Sequence, residues 1–190
     1  MQPEPQFVPA KFQTPAHRRR VDWVVVHTTE GPCAAGRAVR AAQAEQAGER
    51  RASAHYFVDP TAVVQCVHEY DVAWHCQGAN RYGVGVEHCA SGLGELVPAT
   101  DWGSPEAQAM LRLSATLVLE VAARWGVPLV RLRPADIVAG RRGIFGHADA
   151  SQAFGTPGGH RDPGPSWPWE EYMSLLTSGP TPPPTEGEAT

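Results

Sequence analysis

Residues 21–27 of this chain read "VDWVVVH", a mostly apolar run with three consecutive valines that ends in a histidine. A continuous β-branched run of this length favours a central strand that is buried on both faces. His27 ends the run, and the residues "TTEGP" follow it directly. The stretch therefore predicts the middle of a sheet and places one polar side chain where the strand stops.

Further strand signals lie on the C-terminal side of this run. Residues 54–59 ("AHYFVD") and 62–69 ("AVVQCVHE") flank a short turn and predict a hairpin. Residues 82–89 ("YGVGVEHC") predict another strand, in which Gly83 and Gly85 allow a close approach of neighbouring backbone. Residues 143–147 ("GIFGH") predict a last short strand, with His147 at its end and a loop after it.

Helix signals alternate with these strands. Residues 36–49 are rich in alanine and end near Gly48, and residues 167–176 predict a closing helix. Residues 104–126 carry Ser104 as a predicted N-cap, proline at the first helical position and glycine at the end. Their predicted apolar stripe consists of Leu111, Ala115, Val118, Leu119, Ala122 and Trp125. The alternation predicts an α/β domain.

The length of 190 residues suits one well-buried core better than two. Residues 1–20 are rich in proline, glutamine and arginine and predict an extended lead-in. Residues 21–177 form the predicted domain, and residues 178–190 have the composition of a proline-rich linker or tail, after which a further module could follow in a longer parent.

The composition argues against several classes of partner. The net charge is −4, and basic residues are scattered, so a nucleic-acid partner is not expected. No apolar run approaches the roughly 20 residues that a membrane span requires, and the N-terminus lacks the apolar segment of a secretory signal. The four cysteines contain no C-x-x-C pair and are expected to be free, mostly buried thiols.

Two histidines, His27 and His147, stand at predicted strand ends, where sites gather in open α/β sheets. Catalytic zinc takes three protein ligands and leaves one position for water. Asp162 is the candidate third ligand because Pro163 restricts its backbone, although it could instead only cap a turn. Asp149 competes with it, either as a ligand or as a hydrogen-bond acceptor for a ligand histidine.

Five ordered blocks carry a resemblance to a known family. They are "VVVHTTEG", "SAHYFVD", "VAWHCQGANRYGVGVEHC", "GHADAS" and "HRDPGPSWPW", and the likeness runs from about residue 21 to residue 169. In this order and spacing the chain resembles the type 2 N-acetylmuramoyl-L-alanine amidases, whose fold is shared with peptidoglycan recognition proteins. It also resembles phage endolysins directed at actinobacterial hosts.

The resemblance implies a central mixed β-sheet flanked by helices, with a zinc ion (Zn²⁺) in a groove at the strand ends. His27, His147 and Asp162 match the family's metal ligands, and Glu87 matches the glutamate that moves protons. His160 matches a position that is often lysine, where a protonated imidazole would stabilise the developing oxyanion. His75 matches a histidine of the substrate groove, and Asn80 is expected to shape its rim. The remaining histidines, His17, His55, His68 and His88, are expected to be exposed or to serve packing.

The implied reaction is hydrolysis of the amide between N-acetylmuramic acid and L-alanine in peptidoglycan. An enzyme of this kind would be made without a signal peptide in the host cytoplasm and would reach the cell wall after release. Two alternatives stay open: a non-catalytic peptidoglycan-recognition module on the same fold, and a zinc peptidase or deacetylase acting on cell-wall fragments.

Overall fold

A computed structural model describes residues 5–17, 20–156 and 159–178. It contains, in chain order, β1 (Gln6–Phe7), β2 (Gln13–Thr14), β3 (Trp23–Thr28), α1 (Arg37–Ala47), β4 (Tyr56–Val58), β5 (Val63–Gln65), β6 (Val72–Ala73), β7 (Gly83–His88), α2 (Pro105–Trp125), α3 (Pro134–Val138), β8 (Gly143–Gly146), α4 (His147–Phe154) and α5 (Trp169–Ser178). This is the α/β fold that the sequence predicts.

A mixed sheet with the strand order β1-β5-β4-β7-β3-β8 forms the centre of the fold. β3 pairs in parallel with β7 on one side and with β8 on the other. β4 and β5 are the predicted hairpin and form an antiparallel pair. Every residue of β3 is buried, as its run of valines predicts. β2 and β6 form a separate two-stranded sheet.

One face of the sheet is packed against α2 and α5. Val24 and Val26 of β3 lie in the same apolar cluster as Val84 and Val86 of β7, together with Ile144 of β8. The helices α2 and α5 contribute further members of that cluster, which include Met110, Leu111, Val118, Val121, Tyr172 and Leu176. Because strand side chains alternate between faces, the next residues along each strand point the other way.

The opposite face is covered in two parts. Near one edge, α1 packs through Ala38 and Ala42 in a cluster that contains Phe57 and Val64. Near the other edge, a second cluster contains Trp23, Val25 and Phe145 with the α3 and α4 residues Ile137 and Ala150. His27 and Glu87 also lie on this face, because they share the alternation of Val25 and Gly85.

Both ends of α2 have the capping residues that the sequence predicts. The Ser104 hydroxyl accepts a hydrogen bond from the Ala107 amide, and Gly126 ends the helix in a left-handed conformation. The buried stripe is broader than predicted, since it also includes Met110, Leu117 and Val121. Leu119 and Trp125 are only partly buried.

Two sequence expectations need correction or extension. His147 was expected before a loop, but it is the first residue of the helix α4. Two short strands lie within the predicted lead-in and pair with the domain: β1 with β5 and β2 with β6. Residues 179–190 of the predicted tail lie outside the described part of the chain.

Two further expectations can be compared with the structure. All four cysteines are free, and Cys66, Cys76 and Cys89 are buried, as predicted. Among the described residues, no helix combines the length and apolar character needed to cross a membrane.

Candidate active site

Three side chains that are far apart in the sequence converge at the ends of the central strands. His27, His147 and Asp162 are buried, with exposed fractions of 1%, 7% and 7%. The Nδ1 atom of His27 lies 2.9 Å from Oδ2 of Asp162, and Nδ1 of His147 lies 3.4 Å from Oδ1. One nitrogen or oxygen atom from each of the three lies within 4.8 Å of the others.

Each of these side chains is placed by a different element. His27 lies in β3, which β7 and β8 hold on both sides. His147 begins α4 directly after β8, so the end of the strand fixes where the helix starts. Asp162 precedes Pro163 in a turn, and its carbonyl oxygen accepts a hydrogen bond from the Ala148 amide at 2.8 Å. The sheet, the helix and the turn thus meet at one point.

This donor set suits zinc. Two imidazole nitrogens and one carboxylate oxygen are a common protein ligand set for catalytic zinc, and at bond lengths of about 2.0–2.2 Å tetrahedral ligand atoms lie a little over 3 Å apart. The observed separations of 2.9 and 3.4 Å between imidazole nitrogens and carboxylate oxygens are compatible with such a centre. The chemistry of the three side chains and their proximity therefore fit a zinc ion.

Glu87 lies beside His27 in the sheet. The two residues are register partners in the parallel β3–β7 pair, so both side chains project from the same face. Glu87 as a whole remains partly accessible, but its Oε2 atom is buried, and none of the described residues gives it a hydrogen bond. Burial raises the pKa of Glu87 to about 7, despite the opposing effect of nearby His27. A carboxyl group with such a pKa can exchange protons near neutral pH.

His160 lies at the outer side of the cluster. Its ring stacks on the ring of His147 with centroids 4.4 Å apart, and its Nδ1 lies 3.6 Å from Oδ1 of Asp162. Its side chain is 73% exposed, in contrast to the three buried side chains of the cluster.

His75 contacts the cluster from the side of the β6–β7 connection. Its Nδ1 lies 3.0 Å from Nε2 of His27. The ring lies over Gly85, where an added Cβ would come within 2.5 Å of its Cγ atom. The glycine in β7 thus makes room for a side chain, whereas the sequence led us to expect neighbouring backbone there.

Asn80 organises the loop that carries His75. Its Oδ1 atom accepts hydrogen bonds from the backbone amides of His75 and Cys76, at 2.9 and 2.6 Å. Its oxygen is therefore engaged with the protein backbone. A role for Asn80 at the groove rim stays a prediction.

Asp149 does not accept a hydrogen bond from a ligand histidine, contrary to one of the sequence alternatives. Its Oδ2 atom accepts from the Gly146 amide at 2.9 Å and pairs with Arg131 at 2.7 Å. Asp149 therefore caps the start of α4. The sequence did not indicate this role, because α4 itself was not predicted. The Arg131 guanidinium in turn lies 3.6 Å from the ring centroid of Trp169.

His88 stabilises the backbone at His27, a role that was not predicted from the sequence. Its Nδ1 lies 2.9 Å from the carbonyl oxygen of His27, and its Nε2 lies 2.6 Å from the Ser114 hydroxyl, which also bonds Tyr172. Burial lowers the pKa of His88 to about 4, so the ring is neutral and donates at Nδ1 while it accepts at Nε2. Its only sequence signal was its position immediately after Glu87.

Comparisons with known proteins match most of the chain. Residues 17–165 match the family model described as N-acetylmuramoyl-L-alanine amidase. N-acetylmuramoyl-L-alanine amidase A of Achromobacter lyticus is 29% identical over 164 residues, which cover 82% of this chain and 83% of that protein.

Solved structures share the fold at low sequence identity. A mutant of PlyL superimposes with a TM-score of 0.65 at 15% identity, over 93% of this chain and all (100%) of the other. An AmpD derivative gives a TM-score of 0.62 at 21% identity, covering 93% and 97% of the two chains. N-acetylmuramoyl-L-alanine amidase LysC from Clostridium intestinale gives 0.59 at 15% identity, covering 92% and 98%.

Proposed function

This chain belongs to the N-acetylmuramoyl-L-alanine amidase family, and from that premise we propose that it is a zinc enzyme that cleaves the amide between N-acetylmuramic acid and L-alanine in peptidoglycan. The observation that carries the proposal is the position of Glu87, which is the register partner of His27 and whose buried Oε2 atom has no hydrogen-bond partner among the described residues. A recognition module without catalysis has no need of a buried carboxylate of this kind, because leaving it unsatisfied is costly.

His27, His147 and Asp162 would hold the ion. Zinc, when bound, lowers the pKa of its water to about 7 and polarises the scissile carbonyl. The chain's own contribution is to keep the three ligand side chains buried and fixed by a strand, a helix and a turn. Preorganisation of this kind reduces the cost of ordering the site when the ion and the substrate bind.

Glu87 would act as the proton carrier. Its raised pKa of about 7 lets it take a proton from the attacking water and return it to the nitrogen of L-alanine as the C–N bond breaks. The products are then a free carboxylate on the lactyl group and a stem peptide with a free amino terminus. The parallel register keeps the carboxylate next to His27 throughout.

Three further residues would serve the substrate. His160, exposed and stacked on His147, would donate a hydrogen bond to the carbonyl oxygen as negative charge develops there. His75 would border the groove beside His27, and Asn80 would fix the His75 loop through its two backbone hydrogen bonds.

Mass spectrometry of digested sacculi tests the bond that is cut. We expect free stem peptides that begin at L-alanine, together with glycan strands of unchanged length. Shortened glycan, opened cross-bridges or released acetate would contradict the proposal and would indicate one of the other hydrolases. Binding to sacculi without any release would identify a recognition module.

His27→Ala tests the zinc centre. We expect loss of bound zinc and loss of stem-peptide release, both measured on the purified folded protein. His17→Ala is the matched control, because His17 is an exposed histidine that stacks on Tyr70 at a centroid distance of 6.1 Å. Full activity of the His27 variant would remove the metal from the mechanism.

We also propose that the chain is the lytic domain of a phage enzyme with an actinobacterial host. The sequence resemblance alone supports this proposal. Residues 21–177 would be the amidase domain. Lysis assays on actinobacterial and on other Gram-positive cell walls test it, and we expect faster release from the actinobacterial walls. Equal rates on both would contradict the assigned host.

A further inference from the structure

Glu30 lies three residues after His27, in the loop that leaves β3, and its carboxylate accepts four hydrogen bonds. Oε1 accepts from the Thr28 hydroxyl at 2.6 Å and from the Gly92 amide at 3.1 Å. Oε2 accepts from the Ser91 hydroxyl at 2.9 Å and from the Leu93 amide at 3.0 Å. Three of the four hydrogen bonds therefore join the carboxylate to residues 91–93, and the fourth joins it to Thr28.

The backbone of Glu30 is held in an unusual conformation. Its φ angle is +54°, in the left-handed region that non-glycine residues rarely occupy. Such a conformation persists where the surrounding structure over-determines it, and here the four hydrogen bonds to the side chain do so. Glycine at this position would relieve the strain but would lose every one of those bonds.

The segment 91–93 in turn supports the turn that carries Asp162. A Cβ atom added to Gly92 would lie 1.6 Å from the carbonyl oxygen of Pro163, and one added to Gly164 would lie 2.4 Å from the backbone of Gly92. The Ser166 hydroxyl donates to the Gly92 carbonyl at 2.9 Å. The two backbones thus touch directly, with no side chain between them.

These contacts form a continuous path from one carboxylate to a proposed zinc ligand. Glu30 fixes Gly92, Gly92 packs on Pro163, and Pro163 follows Asp162. We propose that Glu30 is a positioning residue that holds the 91–93 segment against the Asp162 turn and so fixes the third ligand. The part of this inference that concerns zinc rests on the proposed function.

Glu30→Gln is the sharpest test, because glutamine keeps the shape but has only one acceptor oxygen. Its amide nitrogen would face an amide of the 91–93 segment, so Gly92 or Leu93 must lose its partner. We expect zinc affinity, measured by competition with a chelator on protein that circular dichroism shows to be fully folded, to fall about 10–100-fold. Hydrogen exchange at the Gly92, Leu93 and Ala148 amides should accelerate, since Ala148 donates to the Asp162 carbonyl.

Asp59→Asn is the matched control. The Asp59 carboxylate also accepts four hydrogen bonds, from the Thr61 hydroxyl and from the amides of Ala38, Thr61 and Ala62. Its partners belong to the β4–β5 turn and to α1, which carry none of the proposed ligands. We expect this variant to lose thermal stability while its zinc affinity and the exchange of the Ala148 amide stay as in the wild type.

Gly92→Ala tests the second link of the path by a different route. The added methyl group would meet the Pro163 carbonyl, so the turn has to move and zinc affinity should fall at least as far as in Glu30→Gln. Gly103→Ala is its control, because a Cβ at Gly103 meets only the Asp101 side chain at an ordinary distance of 3.4 Å.

The outcomes separate the two proposals. Wild-type zinc affinity and unchanged Ala148 exchange in Glu30→Gln would overturn the role of Glu30 and leave the amidase proposal intact. A wild type that binds no zinc would overturn the proposed function, whereas faster Ala148 exchange in Glu30→Gln would still support Glu30 as the residue that holds the turn. Equal loss of zinc in Glu30→Gln and Asp59→Asn would show that general destabilisation is the cause.

Discussion

At the carboxyl ends of β3 and β7, valines face α2 and α5, whereas a histidine and a glutamate lie on the opposite face of the sheet. Val26 and Val86 belong to the apolar core, and one residue further along each strand lie His27 and Glu87. At these strand ends, residues of the apolar core therefore alternate with residues proposed for catalysis. A change in the cluster that α2 and α5 cover should affect folding, and a change at His27 or Glu87 should affect catalysis.

Glu87→Gln is expected to have the largest effect, which is on the rate of catalysis and not on stability. Removal of the proton carrier should lower the rate of stem-peptide release by about 10²–10⁴-fold. Zinc content and melting temperature should be no lower than in the wild type, because the buried Oε2 atom has no partner to lose among the described residues. Glu106→Gln, an exposed change in the first turn of α2, is the control.

Leu111→Ala tests the other face. Leu111 is fully buried in the α2 cluster, so we expect the free energy of unfolding to fall by about 2–5 kcal/mol. Denaturant titration measures that loss, and release of stem peptides per folded molecule should stay unchanged. A folded Leu111 variant with a slow reaction would mean that the two faces are coupled.

Glu45→Gln tests a smaller, pH-dependent effect on stability. Glu45 lies in α1 on the site face, and burial raises its pKa from the ordinary 4.5 to about 8, although it accepts a hydrogen bond from the Ala54 amide. Because the pKa is higher in the folded state, the stabilising contribution of the protonated group is complete below about pH 4.5 and is lost as the pH rises to about 8.

The glutamine variant cannot lose a proton in this way. The melting temperature of the variant should therefore rise relative to that of the wild type as the pH increases from about 5 to about 8. Thermal scans at several pH values measure this difference. Parallel curves for the two proteins would contradict the raised pKa.

The sequence predicted the elements whose signals are local. β3 follows from three consecutive valines, and α2 from Ser104, Pro105 and Gly126 at its ends. The two-residue strands β1 and β2 escaped prediction because they are too short to show periodicity. α4 escaped it because His147 follows a strand without any interruption, and the glycines and prolines after residue 154 suggested irregular structure throughout.

The site was predictable only in part for a related reason. The convergence of His27, His147 and Asp162 was inferred from strand ends and from the family resemblance, and the structure brings these three side chains together. Glu30 was missed because a glutamate between threonine and glycine resembles a solvated loop residue. Its partners Gly92 and Leu93 lie 62 and 63 positions away, a pairing that no local pattern contains.

The pairing of β1 with β5 has a practical consequence for shortened versions of the protein. The amides of Val8 and Ala10 also donate to β5 and the residue after it, through the carbonyls of Gln65 and Cys66. A truncation that began at residue 21 would retain every proposed ligand but would expose the outer edge of the hairpin. Open edges of this kind recruit strands from other molecules, so such a truncated enzyme should aggregate more readily than one that keeps residues 5–14.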